Sequence, residues 1–123
     1  MTTFQRLSSL RRHMIGEGII ARAVNGERMT MAVVDLEPNV ALPEHHHENE
    51  QLGFVIAGVI TMRIGSEKQE LRAGDTYSIP SNVPHDALAG PEGCVVADVF
   101  APIRADWANL KHGDPAAGRW PPL

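Results

Sequence analysis

Cysteine is almost missing from this chain. A single Cys94 among 123 residues excludes an internal disulfide framework and a zinc site built on cysteines. Long apolar runs are missing too. No segment approaches the roughly 18 apolar residues of a membrane-crossing helix, so no membrane partner is expected. Residues 1–12 carry arginines with no apolar stretch behind them, which does not match a secretory signal, and a cytoplasmic protein is the expectation. Positive charge is not in excess. Eleven Lys and Arg against 15 Asp and Glu leave a net charge of −4, which argues against nucleic acid as a main partner. Helical periodicity is the last absence: only residues 3–14 show a weak apolar pattern of helical spacing.

What is present points to strands. The length suits one domain over residues 1–123, and a hydrophobic fraction of 43% with 21% charged residues is ordinary for a globular protein. Eleven Gly and nine Pro punctuate short β-branched runs. The runs predict strands over residues 18–24, 28–36, 41–47, 51–57, 59–64, 69–72, 76–79, 85–89 and 94–100. Asn25-Gly26 predicts a two-residue hairpin turn, while Ala57-Gly58 and the segment 90–93 read as further turns. Many short strands without crossover helices mean an all-β antiparallel sandwich or barrel. The barrel core is expected over about residues 17–104. Residues 105–123 form an irregular arm, either packed by Trp107, Leu110 and Trp120 or mobile.

The most informative segment holds His45, His46 and His47. Side chains alternate faces along a strand, so His45 and His47 share a face and His46 points away. If the strand runs on without a bulge, Gln51 returns to the same face and Glu50 does not; a bulge near Glu48-Asn49 would swap them. His85 follows Pro84 on a separate strand. Two histidines one residue apart, with a third from a neighbouring strand, suit a divalent metal. A solvated histidine run is the alternative.

A second constellation ends the last strand. Asp98 and Phe100 share a face in a run that is otherwise apolar (Val95, Val96, Ala97, Val99). A carboxylate buried there without a partner is costly. Asp98 either faces solvent or pairs with a buried arginine, or it faces the interior near the metal and does acid–base work. Phe100 is core or substrate platform; Arg104, taken alone, is a surface residue.

The spacing from His45 through His47, Gln51 and Gly58 reads H-x-H-x3-Q-x6-G, and that from Gly74 to His85 reads G-D-x3-I-P-x-N-x-P-H. These resemble the two motifs of the cupin superfamily, small double-stranded antiparallel β-helix (jelly-roll) barrels that hold one metal ion, over about residues 30–104. Gln51 stands where glutamate is commonest, and Asn82 where glycine is. Asparagine tolerates left-handed backbone best after glycine, so the second change is conservative. The resemblance implies His45, His47, Gln51 and His85 as ligands of one divalent ion, with Mn, Fe, Co, Ni and Zn all compatible. A neutral amide in place of a carboxylate leaves the ion its full charge. One extra unit charge about 4 Å from a substrate carboxylate is worth at most roughly 4 kcal/mol at an effective dielectric of 20, so the site favours anions.

Residues 50–58, 79–88 and 98–107 resemble more closely the KdgF branch of small cupins, the uronate-linearising proteins of pectin and alginate breakdown. There a D-x-F-x-P-x-R segment holds the functional residues, matching Asp98, Phe100, Pro102 and Arg104 here. The resemblance implies an isomerase-type activity that opens a 4,5-unsaturated uronate to a linear 4-deoxy-5-keto sugar acid. Asp98 would move a proton, Arg104 would grip the anion and Phe100 would bound the pocket. A cupin dioxygenase on a small organic substrate and a non-catalytic sugar-binding module are the alternatives.

Among other residues, His13 and His112 read as surface positions, Cys94 as a buried hydrophobe, and Met29, Met31 and Met62 as core. Tyr77 shares a face with Ile79, in the core or on the pocket. Leu52, Phe54 and Ile56 form an apolar outer face on the strand that bears Gln51. That face predicts a homodimer, with part of the cover coming from the chain's own second sheet or from the tail around Trp107.

Overall fold

A computed structural model describes residues 3–122 of the chain. Its strands are β1 (Arg12–Gly16), β2 (Ile19–Asn25), β3 (Thr30–Leu36), β4 (Ala41–His45), β5 (Glu50–Ile64), β6 (Glu67–Arg72), β7 (Thr76–Ile79), β8 (His85–Ala101) and β9 (His112–Gly113). All pairings are antiparallel. The helical segments among the described residues are two 3-10 turns, Leu7–Ser9 and Ala105–Asn109, and no helix is long and apolar enough to cross a membrane.

β5 and β8 are long, with 15 and 17 residues, and pair from Glu50↔Ala101 to Ile64↔His85. The turns expected at Ala57-Gly58 and at 90–93 are therefore bends within continuous strands. The register shifts between Val55 and Ala57 and again between Gly58 and Ile60. Gly58 has φ +79°, and a Cβ there would run into the Gly93 carbonyl and Cys94. Such bulges bend a strand without ending it. Here the bend carries both strands from one half of a single nine-stranded sheet to the other. The first half of β5 and the second half of β8 lie with β7, β3, β2, β1 and β9; their other halves lie with β6 and β4. The result is a jelly-roll barrel.

Inward-facing Ile19, Leu36, Val55, Ile60, Ile79, Val96 and Phe100 are buried in one apolar cluster. Each such side chain contributes about 1.5–3 kcal/mol by leaving water. Met62 joins this core, but Met29 and Met31 are 51% and 55% exposed, against the expectation. The alternation of β3 sends Thr30 and Ala32 inward instead. Cys94 is buried, and burial pushes its thiol up to about 11.

Two local expectations fail for identifiable reasons. The weak helical window over 3–14 gives way to β1, which pairs Arg12, His13 and Met14 with Arg22, Ala21 and Ile20. So short a helix is marginal by itself, while strand pairing satisfies the same backbone groups against a core. The hairpin after β2 does not turn at Asn25-Gly26. Asn25 pairs with Thr30 and accepts its hydroxyl hydrogen bond at 2.6 Å. The Gly26 N–H donates to the Met29 carbonyl at 2.8 Å, so the chain reverses at Glu27 and Arg28.

The C-terminal segment is packed. Trp107 is buried, its ring 5.2 Å from that of Phe100. β9 pairs with β1, setting His112 against His13, which is half-buried beside Trp107 rather than on the surface. Further on, the Trp120 carbonyl accepts a 3.0 Å bond from the buried Arg22, whose guanidinium lies 3.7 Å from Asp35. The Trp120 ring stays 40% exposed.

Candidate metal centre

His45 closes β4 and His85 opens β8, and the register sets them directly opposite each other. His47 lies beyond the end of β4, so strand alternation does not place it. Its backbone carbonyl accepts the Asn82 N–H at 2.8 Å, with Asn82 at φ +62°, the left-handed conformation its place in the second motif calls for. That bond ties the two motif loops together. Asn49 secures the other side. Its amide donates to the carbonyls of Pro102 and Ile103 at 2.6 and 3.2 Å, joining the histidine loop to the segment that carries Arg104.

The three rings are oriented alike. Nδ1 of His45 bonds to the Pro43 carbonyl, that of His47 to the Asn49 carbonyl and that of His85 to the Val83 carbonyl, each at 2.8 Å. A carbonyl only accepts, so each Nδ1 bears the proton and each Nε2 keeps its lone pair. The ligand nitrogens lie within 4.8 Å of one another, and Nε2 of His47 and of His85 is buried with no hydrogen-bond partner. Burial, reinforced by the neighbouring imidazoles, lowers His85 to about 4, and burial also lowers His47. Both are thus neutral near pH 7, the form that binds a cation. Orphaned lone pairs converging on one point fit a divalent ion.

Gln51 is buried and Glu50 exposed. Gln51 lines the same cavity as His45, His85 and Asp98. Asp98 is buried on β8, and burial pushes its carboxyl up to about 6 against the opposing pull of Tyr77, Gln51 and Arg104. The Tyr77 hydroxyl donates to Asp98 Oδ1. Phe100 meets His47 edge-on, ring centres 5.9 Å apart. The Arg104 guanidinium stacks on Phe100 and Trp107, 4.8 and 4.7 Å from the ring centres. It is not the surface residue its position alone suggests.

His45, Gln51, His85, Asp98, Phe100 and Arg104 all line one cavity of about 390 Å³, with His47 beside it in the histidine cluster. His46 is exposed, as expected, although it lies beyond the end of β4 and strand alternation is not what turns it outward. Tyr77 and Trp107 also line the cavity, and so does Glu44 at its exposed rim. Sequence reasoning left Tyr77 open and missed Asn49, which lies among acidic residues in a loop without a pattern of its own. Asp106, which accepts hydrogen bonds from Arg104, was missed as well; its place two residues past Arg104 was the available signal.

A jelly-roll barrel with three imidazole lone pairs converging inside it defines a class of small β-barrel with a metal cradle. The profile of the family described as a cupin domain matches residues 32–100, and the chain belongs to the cupin family. It is 30% identical over 95 residues to the pectin degradation protein KdgF of Dickeya dadantii, spanning 76% of this chain and 86% of that protein. Among solved structures, KdgF from Halomonas sp. superposes with a TM-score of 0.78 at 24% identity, covering 86% of this chain and 98% of that one. An RmlC-like cupin from Shewanella frigidimarina superposes with a TM-score of 0.80 at 22% identity, covering 87% and 96%. The chain is thus a KdgF-like cupin, related to a protein of pectin degradation.

Proposed function

We propose that this cupin is a metal-dependent enzyme that opens the ring of a 4,5-unsaturated uronate, giving the linear 4-deoxy-5-keto sugar acid. The observation that carries the reading is the meeting, in one cavity, of unpartnered imidazole nitrogens with the Asp98 carboxyl and the Arg104 guanidinium. A divalent ion held by His45, His47, His85 and Gln51 would supply Lewis acidity toward substrate oxygens. An amide has one donating and one accepting end. Were its NH2 turned toward Asp98, Gln51 would offer its carbonyl oxygen as a ligand.

The chain's own groups account for the proton balance. Ring opening breaks the bond between the anomeric carbon and the ring oxygen while the anomeric hydroxyl gives up a proton, leaving an aldehyde and an enolate. The enolate becomes the ketone when C4 gains a proton. One proton leaves and one arrives, so a single carboxyl serves both ends. Asp98, brought by burial to about 6, has both protonation states within reach near neutral pH. Arg104 attracts the substrate carboxylate, and Phe100 and Trp107 hold its guanidinium plane. Incubation with unsaturated galacturonate, followed at the ultraviolet absorbance of the C4=C5 bond, tests the reading. Loss of absorbance with gain of a keto product is expected; an unchanged spectrum with metal-loaded protein refutes it.

A second reading has one observation in its favour. Ile19, Leu36, Ile60, Met62 and Val96 give the same cavity apolar walls, where sugar hydroxyls find no partner. That favours a small organic acid with an apolar body, the substrate a cupin dioxygenase would take, and oxygen consumption by the iron-loaded protein would reveal it.

We also infer a homodimer. On the outer face, Met31 pairs with Val99 and Val99 with Leu52, and these three together with Phe54 are 38–55% exposed. The tail does not provide cover there, because Trp107 packs inward against Phe100. Ile56 sits half-buried at the bulge and contributes less than expected. A cytoplasmic location completes the reading, supported by a lone cysteine that is buried.

A further inference from the structure

Tyr77, Gly53 and Asp98 stand in one row across three strands, since Gly53 pairs with Tyr77 of β7 on one side and with Asp98 of β8 on the other. The outer strands of such a trio are roughly 9–10 Å apart. A side chain from one edge reaches the other only by crossing the middle strand. Tyr77 does this, and its hydroxyl donates to Asp98 Oδ1. Both residues are buried, at 8% and 5% exposure.

Gly53 makes the crossing possible. Unlike Gly58, it has no positive φ, so its backbone would accept any residue. Space is what demands glycine. A Cβ at position 53 would overlap Asp98 Oδ1 on one side and the Tyr77 ring on the other. The missing side chain, the tyrosine and the aspartate thus form one unit: an arch whose span is a phenol and whose far footing is a carboxyl.

We propose that Tyr77 is a positioning residue for Asp98, committing Oδ1 to the arch and leaving Oδ2 as the oxygen presented to the cavity. This rests on the reading that Asp98 moves the proton. A carboxyl tied at one oxygen cannot rotate about its terminal bond, so the second oxygen keeps one direction. Lost orientation at a reacting group costs up to about a hundredfold in rate. Tyr77 touches neither the histidine cluster nor Arg104 through any hydrogen bond found. Its loss should therefore spare metal and anion binding.

The test has two arms. In the kinetic arm, Tyr77→Phe keeps the ring and removes the hydroxyl. It should lower kcat about 10- to 100-fold with KM and metal content unchanged. Gly53→Ala should lower kcat similarly while keeping both polar groups, and Tyr77→Phe should add nothing in the Gly53→Ala background, because both break one arch. The second arm needs no turnover. Tyr77 is the chain's single tyrosine, so tyrosine labelled with carbon-13 at Cζ gives one resonance. That resonance should move in Asp98→Ala and stay in place in Arg104→Lys. A resonance indifferent to Asp98→Ala shows that the arch is absent in solution and overturns the proposal. A responsive resonance with wild-type kcat in Tyr77→Phe also overturns it. If the wild-type protein fails to turn over unsaturated uronate while the resonance responds, the arch is upheld and the ring-opening reading is what falls.

Discussion

Arg104 gives two of its nitrogens to Asp106: Nε and Nη2 meet the two carboxylate oxygens at 3.1 and 3.0 Å. The fork that would grip a substrate carboxylate is thus engaged within its own chain. Arg104 is held independently by the rings of Phe100 and Trp107, and its backbone N–H donates to the Thr30 hydroxyl at 2.9 Å. Asp106 should therefore be dispensable for placing the guanidinium and would compete with a substrate anion for it. Asp106→Asn should lower KM for an anionic substrate several-fold at low salt and leave kcat unchanged. Arg104→Lys should raise KM, because a point charge replaces the fork. Steady-state kinetics on both variants decide this, and a raised KM in Asp106→Asn would show that Asp106 serves binding instead.

Removal of two ligands should empty the cradle. His47→Ala combined with His85→Ala takes away both buried, unpartnered Nε2 atoms. Elemental analysis of the purified double variant should find no stoichiometric divalent metal, and full occupancy would sink the ligand assignment. Acid should release the ion from the wild-type protein as imidazoles protonate, at a pH set by affinity and lying below roughly 6.5.

Asp98 should burden the fold at neutral pH. Its carboxyl rises from 3.8 to about 6 on burial, so the folded state holds the proton more tightly than the unfolded one. Its contribution to stability is best in acid, falls as pH rises between about 4 and 6, and stays at its worst above. Asp98→Asn removes the charge and keeps an acceptor for Tyr77. Denaturant unfolding should find the variant more stable than wild type at pH 8, by an amount of order 1–3 kcal/mol, with the gain shrinking toward pH 4. Turnover should fall to a small fraction of wild type in the same variant. Wild-type turnover would show that Asp98 is structural.

A charge on the outer face should separate the copies. Phe54 is 49% exposed, beside Leu52 and Val99, on a face that no other segment of the chain covers among the described residues. Phe54→Glu should shift sedimentation from dimer toward monomer at micromolar concentration. Wild-type protein that sediments as a monomer under those conditions would remove the dimer reading.

Much of the site was legible because its chemistry is local. Two histidines one residue apart form one short pattern, and an asparagine at a left-handed turn three residues before a histidine that follows a proline forms another. The structure places all three histidines together and Asn82 at φ +62°. Continuous strand alternation was to bring His47 and Gln51 to the face of His45, yet β4 ends at His45 and β5 begins at Glu50. Bonds from Asn82 and Asn49, on other segments, hold that loop instead.

The sequence by itself determined strand content, the antiparallel class and the residue types of a metal cradle, since periodicity, turn chemistry and ligand spacing are properties of short windows. Only the tertiary structure decided whether Gly58 turns or bends the chain, because a bulge and a hairpin use the same residues and differ in what lies across the strand. The same holds for β1, which is a strand because β2 offers it an edge. It holds for Arg104, whose partner Asp106 is close in sequence but whose stacking rings come from two elements. It holds most of all for Gly53: nothing local asks for glycine there, and the reason is a tyrosine and an aspartate on the two flanking strands that need the space between them.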